Sequence, residues 1–262
     1  MLTHQLIQFY ARSFPDELMI SEEGRRFSFA SGNTYINRII NLLHNKGLSA
    51  GDRVAVLGEN SADHILLLFA AGQLGIVMVP LNFRLAVDEL EYIIDDAEAS
   101  LLLVTDPDSM QKAEKLAARI DGMDVVINFE SGPGSWIHAL AACDDMPHCA
   151  EASVLPDSVV LQLYTSGTTG RPKGVMLTHQ NLLSLSLHNS AGMVNTPGLG
   201  TRDLIIAPLF HVGGLATAVI ALLVGGGVVL HRAFDPDAVA HALENDGVSA
   251  VFMVPAMIQA LL

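Results

Sequence analysis

Nine consecutive residues from Thr165 to Lys173, reading TSGTTGRPK, carry no side chain suited to a protein core. The hydroxyls of Thr165, Ser166, Thr168 and Thr169 are interleaved with Gly167 and Gly170, and Arg171, Pro172 and Lys173 follow. Glycine admits φ > 0, which lets successive backbone N–H groups converge, and such nests bind anions. The hydroxyls add donors and Lys173 adds a mobile positive charge. Together these groups are equipped to hold a polyphosphate. A Walker-type phosphate loop needs Lys followed by Ser or Thr and then a helix. Here Gly174 and the β-type run Gly174–Leu177 follow, which disfavours that chemistry. A solvated turn also uses Ser, Thr and Gly, but does not require Pro-Lys-Gly ahead of a strand.

The elements that must position this segment are legible as short aliphatic runs. Candidate strands lie at Val54–Leu57, Ile76–Val79, Leu101–Val104, Val125–Ile127, Val159–Leu163, Leu204–Ala207, Val228–Leu230 and Val251–Val254. Helical patterns separate most of them. Leu90, Ile93, Ile94 and Ala97 form one apolar stripe, with Asp88 expected as its N-cap and Glu91 three residues on. A second helix is bracketed by Asp235 at the cap, Pro236 at the first position and Gly247 past the end. Strands alternating with helices predict an α/β fold of largely parallel sheets flanked by helices. Gly132-Pro133-Gly134 and Met146–Pro156 read as loops, and the second suggests two subdomains, 1–150 and 151–262. The apolar runs His64–Pro80 and Leu215–Leu230 are broken by glycine and fall short of the ~18–20 residues of a spanning helix. Each reads as a buried helix followed by a buried strand.

The chain of 262 residues is half hydrophobic and carries a formal charge of −14, which makes a nucleic-acid partner improbable. That charge does not forbid an anionic ligand. Charges beyond a Debye length of about 8 Å are mostly damped, whereas each local hydrogen bond to a charged group contributes roughly 1.5–3 kcal/mol. Cys143 and Cys149 flank Asp144, Asp145 and His148. Two thiols and one imidazole lack the fourth ligand and the spacing of a structural zinc site, so the pair reads as incidental cysteines of a reducing cytoplasm. Met1–Phe14 is amphipathic and has no basic segment ahead of an apolar core, unlike a secretory leader.

Tyr164–His179, reading YTSGTTGRPKGVMLTH, resembles the signature loop of the adenylate-forming superfamily, which holds acyl-CoA synthetases, firefly luciferase-like enzymes and peptide-synthetase adenylation domains. Further segments are similar at matching intervals: Gly51–Val56; Asn82, Arg84, Leu85, Glu89 and Leu90; Pro208–Gly214, reading PLFHVGG; and Phe252–Pro255. The match is weakest at Ala30–Asn37, where Gly32-Asn33 interrupts the usual helix start. The resemblance implies ATP-dependent activation of a carboxylic acid, of fatty type, to acyl-AMP and pyrophosphate, and then to an acyl-CoA thioester, with ATP, Mg²⁺ and CoA as the small molecules. It further implies that Thr165, Ser166, Gly167, Thr168, Thr169 and Gly170 close over the β- and γ-phosphates, that Lys173 neutralises them, and that Thr165 supplies an oxygen on the Mg²⁺ side. Arg171 is expected to point to solvent.

His211 matches the family histidine that lies between the acyl and nucleotide pockets. Peptide-synthetase domains place an aspartate there, so His211 implies a simple carboxylic acid. Some long-chain enzymes carry a tryptophan four residues later, where this chain has Leu215, which leaves chain length open. Arg84 and Glu89 read as structural, and Met253, Met257 and Ile258 as either acyl-pocket or core residues. The uncapped apolar Ala256–Leu262 suggests an incomplete N-terminal domain. The family's Mg²⁺-binding glutamate, ribose-binding aspartate and C-terminal domain with its catalytic lysine would then be absent, and the chain alone inactive in full turnover. The alternative is a truncated, non-catalytic nucleotide- or acyl-binding protein that pairs as a homodimer through its apolar end.

Overall fold

Aliphatic runs too short for a helix become strands, and the apolar-periodic segments between them become helices. The computed structural model describes residues 1–127, 135–147, 154–165, 171–192 and 198–262, the side chains of 189–192 excepted. In chain order its elements begin with α1 (Thr3–Ser13), β1 (Leu18–Glu22), β2 (Arg25–Ser28), α2 (Phe29–Asn45), β3 (Arg53–Leu57), α3 (Ala62–Leu74), β4 (Val77–Leu81) and α4 (Val87–Ala97). Next come β5 (Ala99–Val104), α5 (Met110–Ala117), β6 (Asp124–Ile127), α6 (Trp136–Ala141), β7 (Val159–Thr165), β8 (Lys173–Thr178) and α7 (His179–Gly192). The last are β9 (Arg202–Ile205), α8 (Val212–Leu223), β10 (Gly227–Leu230), α9 (Pro236–Asn245), β11 (Ala250–Val251) and α10 (Pro255–Leu261).

The chain divides into two units, each discontinuous in sequence. Thr34–Glu59 with Leu66–His179 form one; Met1–Asn33, Asn60–Ile65 and Gln180–Leu262 form the other. This differs from the expected division at 150/151, because strand pairing rather than chain order decides membership. β7 lies beyond residue 150 yet pairs with β4 through Met78 and Leu161. β1, at the other end of the chain, pairs with β10, Ile20 opposite Val228.

In the first unit six strands run in the order β6-β5-β3-β4-β7-β8, parallel except for β8, which is antiparallel to β7. Ala55, Leu57, Val79, Leu102 and Val104 bury one face against Leu90, Ile93, Ile94 and Ala97 of α4, the expected stripe. The start of α4 falls two residues earlier than expected. Ala86 is the extended N-cap residue, and the Glu89 carboxylate accepts from its N–H at 2.9 Å. The Asn82 side chain, accepting from the Arg84 N–H at 3.0 Å, sets the turn that brings the chain in there. Asp88 and Glu91 instead both meet Arg119 at 2.7 Å. Glu89 is thus a capping residue, while the Arg84 guanidinium lies 5.3 Å from the centroid of the Phe83 ring.

In the second unit five strands run in the order β11-β9-β10-β1-β2, parallel except for β2 against β1. Leu204, Ile206 and Val229 pack on Val239 and Ala242 of α9, with Met253 and Met257 against them. Those two methionines are partly buried against this core, and Ile258 is exposed. α2 runs unbroken through Gly32-Asn33, and a side chain on Gly32 would collide with the buried sulfur of Met19 in β1. The glycine is there for close packing. Both long apolar runs are helix then strand, α3 with β4 and α8 with β10, and among the described residues no helix is long and apolar enough to cross a membrane. Asp235 caps α9 as expected, its carboxylate accepting from the Ala238 N–H at 2.8 Å, and Gly247 beyond the helix end has φ +64°.

Asp235→Ala should lower stability by about 1 kcal/mol, the ordinary value of a lost N-cap, and Asp235→Ser should restore most of it. Urea denaturation of the three proteins checks this.

Candidate functional site

β7 enters and β8 leaves the glycine-rich segment as an antiparallel pair, with Leu163 opposite Val175, Tyr164 opposite Gly174 and Thr165 opposite Lys173. Directly opposed residues in such a pair have Cβ atoms about 4.5–5.5 Å apart. Thr165 and Lys173 therefore stand together at the mouth of the loop, both exposed. Ser166, Gly167, Thr168, Thr169 and Gly170 lie outside the described residues. Among the described residues Lys173 has no ion-pair or hydrogen-bond partner, so its charge is available to a ligand.

The frame that holds these two positions is built from β7 and α4. The Tyr164 hydroxyl donates to the Asp96 carboxylate at 2.6 Å and accepts from the Gln162 amide at 2.9 Å. Burial first, and the Asp96 bond second, raise the Tyr164 pKa, so the phenol remains a donor throughout the neutral range. Any side chain at Gly174 would strike the Gln162 amide and the Tyr164 ring, which explains a glycine directly after the lysine. On the outgoing arm, the Tyr92 hydroxyl donates to the Pro172 carbonyl at 3.4 Å, and the Arg171 guanidinium lies 5.5 Å from the centroid of the Tyr92 ring. That is within cation–π range. Arg171 is exposed, as expected, but it also has a partner. At the far end of the motif His179 is buried, its Nε2 3.2 Å from the Gly72 carbonyl oxygen, and burial lowers its pKa. His179 is a neutral structural histidine.

His211 lies in the other unit, where it is exposed at the N-cap of α8. Its N–H donates to the Pro208 carbonyl at 3.1 Å, and its ring centroid is 5.2 Å from that of Phe210. A Cβ at Gly214 would run into the carbonyl oxygens of Ala207 and Pro208, so only glycine lets the first turn of α8 fold back onto that segment. Immediately after His211 a pocket of about 420 Å³ opens, walled by Leu185 of α7, Val212, Gly213, Ala216 and Ile220 of α8, and Phe252. Its polar side chains are Thr217 and Asp203. The Thr217 hydroxyl donates to the Gly213 carbonyl at 2.7 Å. Asp203 is 9 % exposed, and its carboxyl makes no hydrogen bond or ion pair among the described residues; burial pushes it up to about 6.

Sequence reasoning named Phe252 only as part of a family-like segment, and it missed Asp203. It started the strand at Leu204, whereas β9 begins at Arg202 and pairs Asp203 with Val228 and Ala250. Leu204 and Ile206 face the core, so alternation puts Asp203 on the opposite face. That parity was the available signal.

Of the cysteine-flanked cluster, His148 and Cys149 lie outside the described residues. Cys143 is a free thiol bonded to the Ala139 carbonyl at 3.4 Å. Asp145 pairs with Arg38 at 2.6 Å, and the Asn37 and Asn41 amides hold the carbonyls of Asp144, Asp145 and Met146.

The sequence profile of the AMP-binding enzyme family matches residues 7–262. The chain belongs to that family. Among its relatives, a feruloyl-CoA synthase from Amycolatopsis is 41% identical over 96% of the chain and 48% of its own length. A fatty acid–[acyl-carrier-protein] ligase from Streptomyces coeruleorubidus is 32% identical over 98% of the chain and 49% of its own length. Among solved structures, ATP-bound MatB from Rhodopseudomonas palustris superposes with a TM-score of 0.85 at 30% identity, over all of this chain and 51% of that one. The N-terminal domain of FACL13 from Mycobacterium tuberculosis, with inhibitor, gives 0.89 at 26% identity, over 99% and 64%. The chain thus has the N-terminal domain fold of adenylate-forming enzymes, and it spans about half the length of the curated relatives it matches.

A buried carboxyl with a raised pKa binds its proton more tightly folded than unfolded, so its ionisation costs stability as pH rises from about 4 to about 6. Asp203→Asn should therefore stabilise the protein at pH 7.5 by on the order of 1 kcal/mol, solvent in the pocket screening part of the charge, and progressively less toward pH 4. Thermal or urea unfolding across that range gives the comparison.

Proposed function

We propose that the protein activates a carboxylic acid with ATP, giving an acyl-adenylate and pyrophosphate, and then passes the acyl group to CoA. A carboxylate is a poor electrophile because its leaving group would be oxide, and joining it to AMP supplies a good one. The first step is in-line attack of the acid's carboxylate on the α-phosphorus, where the protein's part is positioning and neutralisation of phosphate charge. Relatives named as CoA and acyl-carrier-protein ligases support this reading. The observation that carries it is the unneutralised, exposed Lys173 fixed opposite Thr165 at the mouth of the loop. At ~4 Å and an effective dielectric of about 20, one lysine–phosphate charge pair is worth on the order of 4 kcal/mol.

The residues take these roles. Ser166 to Gly170 supply amide and hydroxyl donors to the phosphates, with Lys173 as the neutralising cation. His211 marks the boundary of the acid site, and the pocket behind it receives the acyl group. Its walls are apolar and its volume falls in the range of small-molecule sites. The acid is an alkyl or aryl carboxylate. Mg²⁺ fits this chain only weakly. No group of three His, Cys, Asp or Glu among the described residues could hold a metal ion, and Thr165 offers a single hydroxyl beside a cation. Such a metal would be held mainly by the nucleotide, and no step is routed through it. ATP and CoA are metabolites of the cytoplasm, which is where this reading puts the reaction.

The test is acid-dependent exchange of pyrophosphate into ATP by the full-length gene product. Lys173→Met should raise the KM for ATP, or lower kcat/KM for ATP, by roughly 10³-fold, while His211→Ala should act chiefly on the parameters of the acid. Exchange that survives Lys173→Met unchanged would remove Lys173 from the phosphate site, and absence of exchange with any acid would sink the proposed activity.

A further inference from the structure

The His211 imidazole is exposed and makes no hydrogen bond of its own among the described residues. Its place is therefore set by the backbone that carries it. That backbone leaves the carboxyl end of β9, beside the carboxyl end of its parallel neighbour β10. Parallel strands lose their shared ladder once they part, so the carbonyls just beyond their ends need other donors. One buried side chain meets that need. The Asn60 amide donates to the carbonyls of Ala207 and His231, each at 3.0 Å, and its own carbonyl accepts from the Leu209 N–H at 2.7 Å. The Asn60 N–H donates in turn to the Arg232 carbonyl at 3.3 Å. Asn60 is only 5 % exposed, so bulk water does not replace these bonds if they are lost.

We infer that Asn60 is a positioning residue for His211, holding backbone 207–209 where the histidine can serve the acid site. The inference rests on the acid-activation reading above. Two contacts carry the position from Asn60 to the imidazole. The His211 N–H donates to the Pro208 carbonyl at 3.1 Å, so the histidine is tied to the residue between the two that Asn60 grips. A Cβ on Gly214 would lie 2.6 Å from the Ala207 carbonyl oxygen, so the first turn of α8 rests on the carbonyl that Asn60 holds. A shift at Ala207 is thus passed to the N-terminus of α8, where His211 sits. Asn60 is itself anchored through its neighbours. The Ser61 hydroxyl donates to the Asp63 carboxylate at 3.2 Å, and buried Asp63 pairs with Arg25 of β2 at 2.7 Å. A carboxamide suits the task because it offers two donors and an acceptor from one planar group, which neither a hydroxyl nor a carboxylate does.

The experiment is a double-mutant cycle on the full-length protein, read as pyrophosphate exchange with cinnamate and with octanoate. Asn60→Ser should lower kcat/KM for the acid about tenfold and leave the KM for ATP within about twofold of the parent. Added to His211→Ala, the same substitution should cost less than about twofold more, because alanine leaves no imidazole to position. Asn60→Asp keeps the shape and the acceptor for Leu209 but loses both amide donors, and should behave as the Ser variant does. It keeps the test open where Asn60→Ser does not fold. Unchanged kcat/KM in both Asn60 variants, losses that multiply in the double variant, or losses that fall equally on ATP and acid overturn the inference. A His211→Ala protein as active as the parent overturns it while leaving acid activation intact, whereas no exchange with any acid removes both.

Discussion

The reversal of chain direction between β7 and β8 is the constraint on which the proposed nucleotide site depends. Every other pairing in the six-stranded sheet is parallel, and a parallel neighbour must be reached by a long crossover. An antiparallel neighbour can be reached by a short loop. The pairing of Thr165 with Lys173 closes that loop over seven residues, 166–172. A hydroxyl and a cation are thereby set opposite each other at the end of a sheet whose other face is anchored by the α4 core. The same α4 supplies Tyr92 to the outgoing arm and Asp96 to Tyr164 on the incoming one. The loop's ends are held by one helix, so their separation does not depend on the loop's own sequence.

The second unit solves a different problem with the same economy of side chains. Gly214 lets α8 begin immediately against the Ala207–Pro208 backbone, and Gly213 and Ala216 keep the wall of the helix low. The result is space beside the sheet rather than a filled core. Parity along β9 then divides its residues, Leu204 and Ile206 to the α9 core and Asp203 to the opposite face. Burial of that carboxyl is unfavourable in isolation.

Much of this was legible in the sequence, and the exceptions have physical causes. The aliphatic runs all contribute to strands, and the Leu90–Ala97 stripe is buried in full, because burial periodicity survives any tertiary context. The cap of α4 was displaced because Asp88 and Glu91 satisfy the capping pattern in sequence, while the turn at Asn82 actually fixes Ala86 in the extended state. The two compact units do not follow the 150/151 division, because sheet membership is set by non-local pairing, such as Ile20 with Val228, that no local pattern encodes. Gly174 read as part of a motif, whereas its cause is steric, the Gln162 amide and Tyr164 ring lying where a side chain would go. Asp203 was overlooked because a charged residue just ahead of an aliphatic run looks like a strand boundary.

The most direct test of the central claim, that the β7–β8 loop grips the phosphates of a nucleotide, is amide hydrogen exchange with and without a non-hydrolysable ATP analogue. The account predicts slowed exchange concentrated in peptides spanning Thr165–Lys173, with the α9 region, which packs on the other sheet, unchanged. Nucleotide binding that leaves those peptides unprotected and slows exchange elsewhere would contradict it.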